Sequence, residues 1–210
     1  MTEEPATPRM TRRVGILGGT FDPPHLAHLV LATNARHDLD LDEVLFVPAG
    51  NPYRKADRAV SPPEERLRMV HAAVDDLSWA SVSTIEIERD GPTFTTDTLE
   101  QLTADGGDWW FILGTDALAD LPHWRDPQRI VELVRLGLAL RPGEFDGLEV
   151  PAATRDAVPG IESRIDRIEM PLLELSSTDL RARVRDGRPT DYLVPAPVRA
   201  VIDELGLYTS

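Results

Sequence analysis

The sequence predicts an α/β fold: a parallel sheet of five or six strands with helices on both faces. Three observations carry this. Short apolar runs alternate with stretches of helical spacing through most of the chain. The runs are brief and bounded by glycine or proline, as strands buried on both faces tend to be. The chemically distinctive residues follow the runs directly, where open α/β sheets place their ligands.

The elements follow in order. Val14–Leu17 reads as a central strand, and Gly18 and Gly19 are expected to turn the backbone and leave room for a ligand. Leu26, Leu29, Val30 and Ala32 give helical spacing, so His25 and His28 share one face near a helix N-terminus. Two imidazoles, unpaired N–H groups and a positive dipole end suit an anion such as phosphate. Glu43–Pro48 is a second strand, and the loop Pro48–Lys55 leaves its carboxyl end. Ser61-Pro62-Pro63-Glu64-Glu65 reads as a serine-capped helix start, with the helix running to about Leu77. The alternation in Val82–Ile87 predicts a third strand. The cluster Thr93-Phe94-Thr95-Thr96-Asp97-Thr98 opens a helix, and by itself is an ordinary cap. Trp109–Leu113 is a fourth strand, feeding a glycine turn and helix start at Gly114-Thr115-Asp116; Trp124 follows in a proline-bearing loop.

Ile130–Val134 is helical, and Leu136–Leu140 is a fifth strand ending at Arg141-Pro142-Gly143. Residues 144–163 are acidic, rich in Pro and Gly and weakly patterned, and read as an excursion from the single domain. Ile165–Leu173 is the last strand. Ser176-Ser177-Thr178 then caps a helix on which Arg181 shares a face with Thr178. Val198–Leu205 is the final helix, closed by Gly206.

Bulk properties bound the function. At 210 residues the chain suits one domain, expected over residues 14–210 after a polar, disordered lead-in over 1–13. There is no cysteine, hence no disulfide, thiolate metal site or thiol nucleophile. No apolar run is long enough to span a membrane, and the first residues lack a signal core, so a cytoplasmic protein without a membrane partner is expected. The net charge of −14 argues against a nucleic-acid partner, though a local site can still attract small anions. Of the 22 basic side chains one is lysine, Lys55. A homo-oligomer is compatible with the sequence, which does not fix the oligomeric state.

The stretch Gly18-Gly19-Thr20-Phe21-Asp22-Pro23-Pro24-His25-Leu26-Ala27-His28 resembles the nucleotidyltransferase signature G-G-T-F-D-P-x-H-x-G-H, with Ala27 in place of the glycine. It lacks the Gly-Lys-Ser/Thr of a P-loop and the third glycine of a dinucleotide fingerprint. Leu175–Arg181 resembles the same proteins' I-S-S-T-x-I/L-R, and Pro92–Leu99 their P-S/T-Y-T-x-D-T-L, with Phe94 in place of tyrosine. Over residues 14–206 the chain is similar to the bacterial nicotinate-nucleotide adenylyltransferase family, which implies a single Rossmann-like nucleotidyltransferase domain.

The resemblance also implies roles. His25, His28 and Arg181 are expected to act catalytically on the ATP phosphates. Gly18, Gly19, Thr20, Phe21, Lys55, Gly114, Asp116, Arg141, Ser176, Ser177 and Thr178 are expected to bind ATP. Thr20, Thr95 and Trp124 are expected at nicotinate mononucleotide, with Trp124 stacked on the ring. Mg²⁺ is implied with ATP, carried by substrate oxygens and water with no dedicated protein ligands. A related transferase acting on nicotinamide mononucleotide or phosphopantetheine, or an idle nucleotide-binding module, are the alternatives. At Ala27, helical φ is expected, because alanine avoids positive φ and suits a helix start better than glycine.

Overall fold

The computed structural model describes residues 11–51, 60–143 and 149–209. Six parallel strands form one sheet: β1 (Arg13–Gly19), β2 (Glu43–Pro48), β3 (Ala80–Val82), β4 (Asp108–Gly114), β5 (Arg135–Leu140) and β6 (Ile165–Glu169). Their spatial order is β3-β2-β1-β4-β5-β6. The order reverses between β1 and β4, and in doubly wound sheets a crevice opens at that point.

Alternate residues of the central strands feed two cores. Ile16, Phe111 and Leu113 face one, with Leu99, Leu118, Ile130 and Val131 from α3 (Thr95–Leu102), α4 (Thr115–Asp120) and α5 (Pro127–Leu133). Leu17, Trp110 and Ile112 face the other, with Ala32, Ala35, Val70 and Val74 from α1 (Leu26–Asp38) and α2 (Pro63–Val74). A smaller cluster, including Met69, Leu180, Val198 and Ile202, joins α2 to α7 (Ser177–Arg185) and α8 (Ala196–Leu205). Among the described residues no helix is long and apolar enough to cross a membrane.

Several boundaries differ from expectation. Arg13, assigned above to the lead-in, opens β1 opposite Asp108, while residues 1–10 lie outside the described part. The first glycines do not turn the chain, because β1 runs through Gly19; the left-handed residue is Phe21, at φ 52°. The predicted strand Val82–Ile87 ends at Val82. Ser83 N–H still donates to Phe46 C=O (2.9 Å), but Glu88 N–H then closes a turn on Thr84 C=O (2.9 Å). The last strand stops at Glu169. Ser61 does not cap α2: Pro62 holds that position, and the helix ends at Val74. The final helix opens two residues early, at Ala196, and Gly206 closes it at φ 61°.

The segment 144–163 is less of an excursion than its composition implies. Residues 144–148 lie outside the described part. Beyond them, α6 (Ala152–Ala157) packs against α4, and a 3₁₀ turn (Ile161–Arg164) leads into β6. Val150, Val158 and Ile161 are buried, and Thr154 Oγ1 donates to Leu118 C=O at 3.0 Å. Few, widely spaced apolar side chains suffice there because a formed core receives them.

Candidate active site

A cavity of about 740 Å³ opens at the carboxyl ends of β1, β2 and β4. Of the residues proposed from sequence, Gly18, Gly19, Thr20, His28, Thr95, Gly114, Asp116 and Trp124 line it. Glu86, Thr98, Asp120 and Arg125, which the sequence reading did not single out, line it as well. Phe21, His25, Arg141, Ser176, Ser177, Thr178 and Arg181 do not, and Lys55 lies outside the described residues. Arg141 is exposed just past the end of β5.

Phe21 is core, 1% exposed, so only its backbone can face a nucleotide. Its ring explains Gly19: a Cβ there would sit 3.0–3.2 Å from three of the ring carbons. The ring also meets His28 edge-on, with centroids 5.0 Å apart. His25 stacks on His28, with centroids 3.9 Å apart. The His25 backbone N–H donates to His28 Nδ1 (3.2 Å). A neutral His28 ring therefore carries its proton on Nε2, leaving Nε2–H as the donor.

His25 differs in kind. It is the N-cap residue of α1 and 5% exposed, and its Nδ1 is buried without a hydrogen-bond partner. Burial pulls its pKa from 6.5 down to about 4. The sign for stability follows. The folded state favours the neutral ring, so its contribution is complete above about pH 6.5 and is lost as pH falls towards 4. The shift corresponds to about 3 kcal/mol at most. Urea titrations should show the wild-type midpoint falling across that window. His25→Asn, which cannot titrate, should have a flatter profile between the same pH values. Parallel profiles for the two proteins would show that His25 protonates without cost to the fold.

Ala27 lies in α1 and is absent from the residues with positive φ, in line with the helical conformation expected for it.

The two distant motifs meet at one loop. Ser177 Oγ donates to Pro23 C=O (3.0 Å), and Arg181 Nη1 donates to Asp22 C=O (2.8 Å). Ser176 caps α7 by accepting from Asp179 N–H (3.1 Å). The N-termini of α1 and α7 thus flank the same turn, as an anion spanning both would require.

Asp22 organises that turn from beneath. It is 2% exposed, accepts from Tyr208 Oη (2.6 Å) and Ser61 N–H (3.2 Å), and lies 3.8 Å from Arg181 Nη1. Burial and the Asp22 carboxylate both push the Tyr208 pKa up, keeping it a neutral donor. Arg66, 1% exposed, completes the support by donating to three carbonyls: Thr20 (2.9 Å), Gly50 (3.2 Å) and Ser61 (2.9 Å). Gly50 is held tightly, since a Cβ there would lie 1.9 Å from Glu86 O. Helical spacing marks Arg66 only as one more charged position on α2; nothing local signals that it is a buried hub.

The far wall is aromatic and polar. Trp124 Nε1–H donates to Asp120 Oδ2 (3.1 Å), and its ring meets Phe111 at 5.9 Å, which fixes its plane. The threonines of α3 crosslink the wall and do not cap the helix. Thr96 Oγ1 donates to Arg125 C=O (2.6 Å), and Thr98 Oγ1 to Glu86 (3.0 Å).

This sheet order, with paired helix N-termini beside the switch-point cavity, defines a nucleotide-handling class, and the chain belongs to the cytidylyltransferase-like family, whose model matches residues 16–183. A protein of Roseiflexus sp. described as a probable nicotinate-nucleotide adenylyltransferase is 46% identical over 93% of this chain and 97% of its own. One of the same description from Desulfitobacterium hafniense is 42% identical over 94% and 96%. The Plasmodium falciparum nicotinic acid mononucleotide adenylyltransferase complexed with NaAD shares the fold, with a TM-score of 0.70 at 19% identity, covering 94% of this chain and 97% of that one.

Proposed function

We propose that the chain transfers the adenylyl group of ATP to nicotinate mononucleotide, releasing pyrophosphate and forming nicotinate adenine dinucleotide, a step of NAD biosynthesis. One juxtaposition supports the transferase chemistry: Ser177 and Arg181 dock on the Asp22–Pro23 turn that leads into the histidines. The acceptor is taken from what the 42–46% identical relatives are called.

The mechanism follows from charge. The 5′-phosphate of the mononucleotide attacks the α-phosphorus of ATP, and pyrophosphate leaves in line. The nucleophile is already an anion, so the enzyme needs no covalent intermediate. Its task is positioning and neutralisation. In this reading His28 Nε2–H donates to the α-phosphate as charge builds. Arg181, Ser177, Thr178 and Ser176 hold the departing phosphates at the α7 N-terminus, with Lys55 adding charge. Gly18, Gly19, Thr20 and the Phe21 backbone cradle the nucleotide. Gly114 and Asp116 receive the ribose, and Arg141 the adenosine side. Thr95 and Trp124 receive the mononucleotide. His25 acts through His28, which its N–H and ring hold in place.

Mg²⁺ belongs with ATP in this chemistry. Among the described residues no group of three His, Asp or Glu could hold it, and Asp22, beside the turn, is engaged by Tyr208 and Ser61. Phosphate oxygens and water would carry the ion, and no step above is assigned to it.

The test is pyrophosphate release with ATP and four acceptors: nicotinate mononucleotide, nicotinamide mononucleotide, phosphopantetheine, and none. Expected is rapid release with the first, at least tenfold slower use of the second, and background with the others. Preference for phosphopantetheine, or no release with any acceptor, would overturn the proposal.

A further inference from the structure

Resting on the acceptor proposed above, we infer that Arg125 selects the acid over the amide form of the pyridine ring. The observation is a mismatch of charge. The cavity wall carries the carboxylates Glu86, Asp116 and Asp120, yet the proposed acceptor brings a further carboxylate on its ring. Two of the three are engaged by the protein. Asp120 accepts from Trp124 Nε1 and lies 3.4 Å from His123 Nδ1, and Glu86 accepts from Thr98, whose hydroxyl also receives Arg89 Nη1 (2.9 Å). Neither offers a ring carboxylate a positive partner.

Arg125 does. Among the described residues it is the one lysine or arginine lining the cavity, and it follows Trp124 directly in the chain. Its backbone is tied to α3 through the Thr96 hydroxyl. Its guanidinium lies 4.7 Å from the Phe94 ring centroid, and Nη1 donates to Asp97 Oδ2 at 3.1 Å. An arginine resting on an aromatic face keeps its donor edge available for a planar carboxylate. Phe94 supplies that face. Asp97 takes one arm of the fork, which holds the group at the rim and leaves the other donors for a ligand. A ring seated against Trp124 would bring its substituent within reach of the residue next along. A carboxylate gains a charge-assisted pair there, and an amide gains at most an ordinary hydrogen bond.

The effect is moderate because the side chain is 56% exposed. The experiment compares kcat/KM for nicotinate and nicotinamide mononucleotide in wild type, Arg125→Gln and Arg125→Lys, with KM for ATP measured alongside. Arg125→Gln is expected to raise KM for the acid about tenfold with little change in kcat, and to lower the acid-to-amide ratio about as much. Arg125→Lys keeps the charge and should recover part of the ratio. KM for ATP should move less than twofold in both. An unchanged ratio, or equal loss on both acceptors and on ATP, would show that Arg125 only packs the wall and would overturn the inference. Should the glutamine variant melt early, Arg125→Met removes the same charge while keeping much of the stem, and an unchanged acid-to-amide ratio there would equally overturn the inference. Failure of the wild type to use either pyridine nucleotide would instead overturn the acceptor proposal itself, before any variant is compared.

Discussion

Replacing His28 with alanine is expected to lower kcat by about 100-fold or more, with the fold retained. That is the usual scale for removing one donor aimed at charge that builds in the transition state. His28 is suited to that part because its surroundings leave it one orientation. His25 N–H occupies Nδ1, the His25 ring covers one face, and Phe21 meets it edge-on. The side chain is only partly buried, so alanine leaves little void. The assay is pyrophosphate release at saturating substrates, paired with a thermal melt. A variant that melts normally and turns over at the wild-type rate would place the reacting phosphates away from His28.

Arg66→Met is expected to cost about 3 kcal/mol or more, read as a lower urea midpoint. Methionine matches much of the stem but donates nothing. Three partly buried carbonyls then lose their partner at once, and Asp22 loses a nearby positive charge. Each orphaned acceptor carries a penalty of roughly 1–3 kcal/mol if water cannot reach it. Because the three carbonyls belong to the loops after β1 and β2 and to the entry of α2, the loss should also loosen the cavity rim. KM for ATP should therefore rise in whatever fraction remains folded. Stability within about 0.5 kcal/mol of wild type would show that water replaces the guanidinium and that the three loops hold themselves.

Much of the framework was legible because it is written locally. Val14–Leu17, Glu43–Pro48 and Trp109–Leu113 are short apolar runs between breakers, and each became a strand within two residues of its expected ends. A strand buried on both faces needs nothing more than that pattern. The helix starts at His25, Gly114 and Ser176 were readable for a similar reason, since a helix end announces itself within one turn. The alternating Val82–Ile87 misled because alternation only states which side chains can share a face. It does not supply a neighbour, and past Val82 the edge position leaves the chain to turn towards α3, where Glu86 meets Thr98.

What the sequence by itself determined is the sheet, its glycine-bounded strands, and the residues whose type suits phosphate. What only the tertiary structure decided is how those residues divide their work. His25 and His28 look alike in the sequence, and only packing makes one a buried cap and the other a cavity donor. Phe21 looks like part of a binding loop, and only the β1–β2 core takes its ring. Arg66 and Tyr208 carry no motif, yet together with Asp22 of the signature they join segments up to 186 residues apart. The physical reason is common to all three cases. Burial, and the obligation to pair buried polar groups, depend on which loops the strand order brings together, and no window along the chain contains that information.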